Sequence, residues 1–402
     1  MPVTIDTLYE LQQLYAAPGT RAAAVQRAAA VRSDDLASWL SAHVGNPAAE
    51  AYLLHLFDAA SCASPGGPRC YHRFYRELTL RLHPSLHRSV IGAGEISQVA
   101  VVAGSAFSCW RHPGTGRLMP VVYKKMPPFL DRAAAQEYVG WYLAYNQTLR
   151  DRVGIHVPHF DARIVERAGC AIIYVIQERL PSDSVCHVIL RQASPAAARR
   201  LFRLILQQYE KLYHYDRDRS ASDHQVGLDG QSPNWAVLGY DGDPEAIADQ
   251  PLAYLDTNVP MLRVDGRDVV SADMYFQSLP GAARWLLKRL KLDEEVMDRY
   301  FHLRLILLDF LGNLIVQHRP DLVPPLVEMS NDALAGPLAA AGLAPFTTAE
   351  VVKYYRSDVK IWRLWRSLKL LGAVSDGVSA GHWRDLFRIG QIYYIWTRPI
   401  FD

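Results

Sequence analysis

Asp229 and Asn234 stand five positions apart in "VGLDGQSPNWAVL" (226–238), a Gly-, Ser- and Pro-containing stretch just ahead of an apolar run. A carboxylate in such a turn can accept a hydroxyl proton, and an amide oxygen close behind it can ligate a hard cation. The next apolar run, "PLAYLDTNV", ends on Asp256, whose carboxylate can serve the same cation. Upstream, "VVYKK" offers two lysines on a strand pattern. Side chains alternate along a strand, so Lys124 shares a face with Val122 and Lys125 with Tyr123. A face lying under a flat base suits the small apolar Val122, which favours Lys124 as the group that reaches phosphate oxygens. Glu137 follows within the helical pattern "DRAAAQEYVGWYLAY", where a carboxylate can hold a Lys ammonium in place. Ahead of all of these runs Gly92-Ala-Gly94-Glu-Ile-Ser97-Gln-Val99. Its glycines lack Cβ and let backbone N–H groups approach a polyphosphate, and Val99 can roof an adenine.

Each fragment also has an ordinary reading. Glycine-rich turns join strands, lysines line edge strands, and glutamates sit on solvated helix faces. An Asp in a loop often makes an Asx turn. Their order is more specific than any one of them. Gly loop, strand Lys, helix Glu, Asp-x4-Asn, short hairpin and strand-ending Asp occur in the order that phosphoryl transfer from a nucleotide requires.

Stepping outward, residues 1–88 read as helices, from the three-to-four apolar spacing in "IDTLYELQQLY", "DDLASWLSAHV" and "NPAAEAYLLHLF". The texture then turns β-rich, with strands on either side of "HPGTGR" and two more in "GIHVPHFDARIVERAGCAIIYVIQERLP", of which "AIIYVI" is the buried one. Asp131 is the expected N-cap of the helix that follows the lysines, and Ser194–Pro195 opens the next long helix. "NWAVLGY" and "PLAYLDT" form the two sides of a hairpin, and from about residue 272 the pattern is helical again.

Composition bounds the rest. Half of the 402 residues are hydrophobic, 21% are charged, and the formal net charge is +2, so bulk charge points to neither nucleic acid nor an acidic membrane surface. No apolar run approaches the roughly 20 residues of a membrane span. Arg outnumbers Lys and Ala is abundant, read as the coding bias of a GC-rich bacterium. The start of the chain shows no basic region followed by an apolar core, so no secretory signal is expected. Five scattered cysteines without C-x-x-C fit reduced thiols and a cytoplasmic setting. Cys62, Cys70 and His72 lack a fourth ligand and the spacing of a zinc knuckle, so no metal site is expected there.

With these residues in place, the chain resembles the protein-kinase-like superfamily, and within it the aminoglycoside/choline-type small-molecule phosphotransferases, over about residues 88–330. "GAGEISQV" is similar to their Gly-rich loop with Ser97 for the third Gly, "VVYK" to the β-strand Lys motif, and "VGIHVPHF" to the segment entering the hinge strand. "VIQERLP" resembles the hinge, "GLDGQSPNWAVL" the catalytic loop, and "AYLDTN" the metal-binding Asp motif. The resemblance implies an α+β, two-lobed fold. A kinase-like N-lobe (89–180) would follow an N-terminal helical extension (1–88), and a helical C-lobe (181–402) would carry the acceptor site. It implies ATP and Mg2+ as cofactors. Gly92, Gly94 and Ser97 would cover the phosphates, Val99 and Val122 would flank adenine, and Glu178 and Leu180 would offer it backbone groups. Lys124, oriented by Glu137, would bind the α/β-phosphates. Asp229 would be the base, and Asn234 and Asp256 the metal ligands. The expected acceptor is a hydroxyl of a small molecule or of a Ser/Thr in a precursor peptide. The N-terminal helices or C-terminal aromatic helices offer room for a protein partner. The alternative is a pseudokinase or partner-binding scaffold without turnover. One departure bears on that choice. The family's catalytic loop begins His-Gly-Asp, with the His bracing the loop, whereas here it reads Gly227-Leu228-Asp229.

Overall fold

The computed structural model describes residues 87–93, 98–103, 109–111, 118–127, 129–167, 170–220, 223–270, 297–340 and 342–360. The expected N-terminal helices up to residue 86, the Cys62/Cys70/His72 group, Gly94 and Ser97, the "HPGTGR" turn and the aromatic segments beyond 360 lie outside these residues. The protein is a mixed α/β molecule that divides into two compact units. The first runs to Glu137 and again over His159–Arg179; the second comprises Tyr138–Pro158 and the chain from Leu180 onward.

The first unit is built on one antiparallel sheet of β1 (His87–Ala93), β2 (Gln98–Ala103), β3 (Cys109–Arg111), β4 (Leu118–Lys125), β5 (Phe160–Arg167) and β6 (Cys170–Glu178). Its order is β1-β2-β4-β6-β5, with β3 paired to β4. β6 is an interior strand because its run Ala171–Ile176 is buried on both faces and cannot be left at an edge. β4 joins it in the core through Met119, Val121, Val122 and Tyr123. Each such large apolar side chain contributes roughly 1.5–3 kcal/mol on burial.

Helix α1 (Arg132–Thr148) starts as the sequence requires: the Asp131 carboxylate accepts the Ala134 N–H at 2.9 Å. From Tyr138 on it belongs to the second unit, where Tyr138, Tyr142, Tyr145 and Leu149 form its buried face at helical spacing. Gly154, in the left-handed region at φ 78°, closes its final turn. Then come the short α2 (Cys186–Gln192) and the long α3 (Pro195–Asp218), which Ser194 caps by accepting the Ala197 N–H at 3.2 Å. Helix α4 (Leu303–Val316) is buried continuously from Ile306 to Ile315 and so forms the centre of this unit. Phe310 stacks there on Phe202 of α3, with ring centroids 5.0 Å apart, and α5 (Val323–Ala333) packs alongside. The strands of the second unit are short. β7 (Gln225–Val226), β10 (Leu262–Val264) and β11 (Arg267–Asp268) form one sheet, and the hairpin of β8 (Trp235–Val237) and β9 (Leu252–Tyr254) the other. Trp235 and Tyr254, opposite each other in that hairpin, pack at 5.0 Å between centroids.

Among the described residues no helix is long and apolar enough to cross a membrane. Cys186 is a buried free thiol whose pKa burial pushes far up, which makes it a poor nucleophile.

Candidate active site

In the first unit, β4 carries Lys124 at a position only 7% exposed, while Lys125 is half-buried. Lys124 stands opposite Val99 of β2, and Val99 in turn opposite Gly92 of β1, just where a bulge interrupts the β1–β2 pairing. Backbone register thus places Gly92, Val99 and Lys124 side by side on three neighbouring strands. Val122 is buried on the same strand opposite Gln177. Glu137 is exposed on α1. Glu178 ends β6, with its N–H given to the His159 carbonyl at 2.8 Å and its side chain accepting the His159 N–H at 3.3 Å. Leu180 follows as the first residue of the second unit's longer part.

In the second unit, the chain leaves β7, runs through Gly227–Gln231 and enters a single 3-10 turn, Ser232–Asn234, that leads into β8. Two backbone contacts fix where this loop lies relative to Asp256. The Leu255 N–H donates to the Asn234 carbonyl at 2.8 Å, and the Asp229 N–H donates to the Tyr254 hydroxyl at 2.9 Å. Asp256 comes next after Leu255, so Asp229, Asn234 and Asp256 are gathered on adjoining turns at one end of the β8–β9 hairpin. Sequence spacing alone does not dictate this; the hairpin register does, by pairing Trp235 with Tyr254.

Asp229 is 8% exposed, and its Oδ1 accepts the Gln231 N–H at 3.0 Å. That is the Asx turn of the ordinary reading. Its surroundings are not those of a surface turn. Burial raises the Asp229 pKa well above the carboxylate range, and the negative charges of Asp309 and Asp256 raise it further. The Arg299 cation and the Gln231 N–H pull the other way without prevailing. Asp309, on α4, is buried and accepts from the Tyr354 hydroxyl at 3.2 Å, while Arg299 is ion-paired with Asp358 at 3.2 Å. A buried Asp229 whose ionisation two further carboxylates make more costly marks a place where added positive charge would be stabilising.

The Gly227 position explains why no histidine stands there. The Gly227 N–H bonds to the Met261 carbonyl and the Leu228 N–H to the Tyr300 carbonyl, both at 2.8 Å. A Cβ on Gly227 would lie 2.9 Å from the Tyr300 carbonyl oxygen and 3.1 Å from the Phe301 ring. Gly230 is tighter still: its Cβ would be 2.1 Å from the Ile306 carbonyl oxygen at the start of α4. Gly230→Ala should therefore destabilise by more than about 3 kcal/mol, since the obstructing atom is backbone. Gly140→Ala, on the exposed side of α1 with nothing within 4 Å, should stabilise by roughly 0.5–1 kcal/mol. Urea midpoints of the two variants check both signs. Beneath the loop, the Ser232 hydroxyl donates to Asn313 Oδ1 at 2.7 Å, and the Gln317 amide donates to both Ser232 and Asn313.

The lead-in to the loop contains one titrating anchor. Asp216, near the end of α3, accepts the Val226 N–H at 3.3 Å. Burial pushes its pKa up to about 6, against the Val226 N–H and Arg219, whose guanidinium is 3.8 Å away. A raised carboxyl pKa contributes stability at low pH that is lost as pH rises from the unfolded value near 3.9 through about 6. Asp216→Asn should accordingly gain on the wild type between pH 4 and 7, by about 1–2 kcal/mol after allowing for partial exposure. Melting temperatures of both proteins across that range test the sign.

Sequence reasoning did not reach Asp309, Arg299 or the tyrosines that meet the loop. A signal existed for the first: Asp309 is the lone charge inside the apolar run "LILLDFLGNLIV". Tyr138, Tyr142 and Tyr145 recur at helical spacing, a pattern that packing alone also produces.

Among the described residues no group of three or more His, Cys, Asp or Glu side chains is arranged to hold a metal. An Asn and an Asp alone suit Mg2+, which takes one or two protein oxygens and completes its shell with phosphate and water.

No curated protein matches the chain. Among solved structures, that of APH(2")-IIia in complex with GDP and kanamycin is similar at 11% identity and a TM-score of 0.21, spanning 65% of this chain and 98% of its own. The GDP complex of a mutant aminoglycoside 2'-phosphotransferase IIIa is similar at 13% identity and a TM-score of 0.22, spanning 67% and 99%. Scores this low carry no argument about the site. The family model is another matter: residues 93–374, covering both the Lys124 sheet and the Asp229 loop, match DUF6206, and the chain belongs to this family of unknown function.

Proposed function

We propose that the protein is an ATP- and Mg2+-dependent phosphotransferase that moves the γ-phosphoryl group of ATP to an alcohol, either of a small molecule or of a Ser/Thr in a peptide. The observation that carries this reading is the gathering of Asp229, Asn234 and Asp256 on adjoining turns by the Leu255–Asn234 and Asp229–Tyr254 hydrogen bonds. The burial of Lys124 opposite Val99, in register with Gly92, supports it from the other unit. In this reading Lys124 takes the α/β-phosphates, with Glu137 as its orienting carboxylate, and the Gly92, Gly94 and Ser97 backbone covers them. Val99 and Val122 flank the base, and Glu178 and Leu180 offer it backbone groups. Asn234 and Asp256 would hold Mg2+, whose oxygen-ligand preference they fit and whose charge the surrounding carboxylates favour. When bound, Mg2+ neutralises charge on the phosphate oxygens. Asp229 accepts the proton of the attacking hydroxyl; its raised pKa makes it a stronger base than a surface carboxylate.

The test is a melting curve combined with transfer from γ-labelled ATP into a metabolite and peptide pool. ATP at 100 times its Kd should stabilise by about 2.7 kcal/mol when Mg2+ is present and by clearly less without it, and label should appear in an acceptor. A metal-independent shift without transfer would instead support a nucleotide-binding pseudokinase, and no shift a partner-binding scaffold.

A further inference from the structure

We infer that Tyr145, Tyr209 and Tyr254 are positioning residues of the Asp229 loop, their hydroxyls holding its backbone from three separate elements. The inference rests on the reading of Asp229 as the base; the hydrogen bonds themselves do not. Tyr254, on β9, accepts the Asp229 N–H at 2.9 Å. Tyr145, on α1, donates to the Gly227 carbonyl at 2.8 Å. Tyr209, on α3, donates to the Gly230 carbonyl at 2.7 Å. The Tyr254 and Tyr145 phenols also lie close enough to influence each other's titration.

All three rings are completely buried. A residue present only to fill the core needs no hydroxyl, and Phe would serve as well at lower desolvation cost. Here each hydroxyl meets a backbone group within the four residues Gly227–Gly230, a stretch with no helix or strand of its own. The Gly227 and Leu228 N–H groups go to the Met261 and Tyr300 carbonyls. Because Gly227 packs against Tyr300 and Phe301, no side chain at that position can reach back to brace the loop from within. The bracing comes from outside it. Burial and the nearby carboxylates push the pKa of all three phenols well up, so they stay protonated donors throughout the neutral range. Tyr138 plays the corresponding part for the turn after Asp256, donating to the Asn258 carbonyl at 2.8 Å.

The experiment uses the full-length chain with Tyr145→Phe, Tyr209→Phe and Tyr254→Phe, and Tyr138→Phe for comparison. Backbone amide exchange over residues 226–234 is read first. Each of the three variants should raise it by roughly tenfold or more, while Tyr138→Phe should change residues 256–259 instead. Hydrolysis of Mg·ATP, with water as acceptor, is read second: kcat should fall about 10- to 100-fold with the KM for ATP within about threefold, as expected when a reacting group is displaced without loss of ground-state binding. Unchanged exchange over 226–234 in all three folded variants would overturn the inference, as would kcat and KM moving together. Wild-type protein without any Mg·ATP turnover would count against the phosphotransferase reading alone, because the exchange result still decides whether the hydroxyls hold the loop.

Discussion

Replacing Asp229 by Asn should give a protein that binds Mg·ATP, melts higher than the wild type and transfers phosphate about 10²–10⁴-fold more slowly. Asn keeps the shape and the Oδ1 that accepts the Gln231 N–H, so the turn survives, but it cannot take a proton from a hydroxyl. The stability gain follows from the same surroundings. Burial first, and then Asp309 and Asp256, hold the Asp229 pKa well above the carboxylate range. Its protonated form therefore stabilises the fold below the unfolded pKa, and that stabilisation is lost as pH rises through the elevated folded value. At pH above that value the wild type carries a buried, repelled charge that Asn lacks, and the melting temperature of the variant should be higher, by about 1 °C per kcal/mol for a chain of this length. Below about pH 4 the two should converge. The rate of the wild type should fall on the acid side at a pH above the usual carboxylate range, since the base must be unprotonated. A variant with undiminished turnover would remove Asp229 from the role, and one that melts lower at neutral pH would contradict the electrostatics.

Asp256→Ala should abolish Mg2+-dependent turnover and the Mg2+-dependent part of the thermal shift. Asp256 supplies the carboxylate of the proposed ligand pair, and an amide oxygen from Asn234 alone offers no charge to hold a divalent cation. The same substitution removes one of the charges that raise Asp229, so the acid limb of any residual activity should move to lower pH. Nucleotide binding without metal should be little changed, because Lys124 and Gly92 belong to the first unit and Asp256 to the second. Isothermal titration with ATP, with and without Mg2+, checks both statements. Wild-type rates at ordinary Mg2+ would refute the assignment of Asp256.

Much of the local structure was legible in advance. The strands on either side of "HPGTGR" pair as β3 and β4, and the buried run "AIIYVI" lies in an interior strand of the sheet. Asp131 and Ser194 cap the helices they precede, and the "NWAVL"/"PLAYL" hairpin forms. These are short-range outcomes, set by periodicity and by which backbone groups a nearby side chain can satisfy. The hairpin had a further consequence: once Trp235 pairs with Tyr254, Asn234 and Leu255 must meet.

The loop's support was not legible. The sequence shows a glycine at 227 and leaves open what steadies Asp229. The answer depends on Tyr145, Tyr209 and Tyr254, which lie 82, 21 and 25 positions from their backbone partners. No local rule distinguishes those tyrosines from others buried for their rings. Asp309 and Arg299 escaped for the same reason, since their effect on Asp229 is one of proximity in space.

The sequence by itself determined the order of the residues proposed for the site: Gly92, Lys124, Glu137, Asp229, Asn234 and Asp256. Residue type and spacing fix functional groups and local turns. Only the tertiary structure decided how Asp229 is held and how its charge is tuned, because both depend on helices α1, α3 and α4 converging on one four-residue loop. There a hydroxyl is a donor or a filler, and a carboxylate a base or a cap, according to what the distant chain brings within about 3 Å of it.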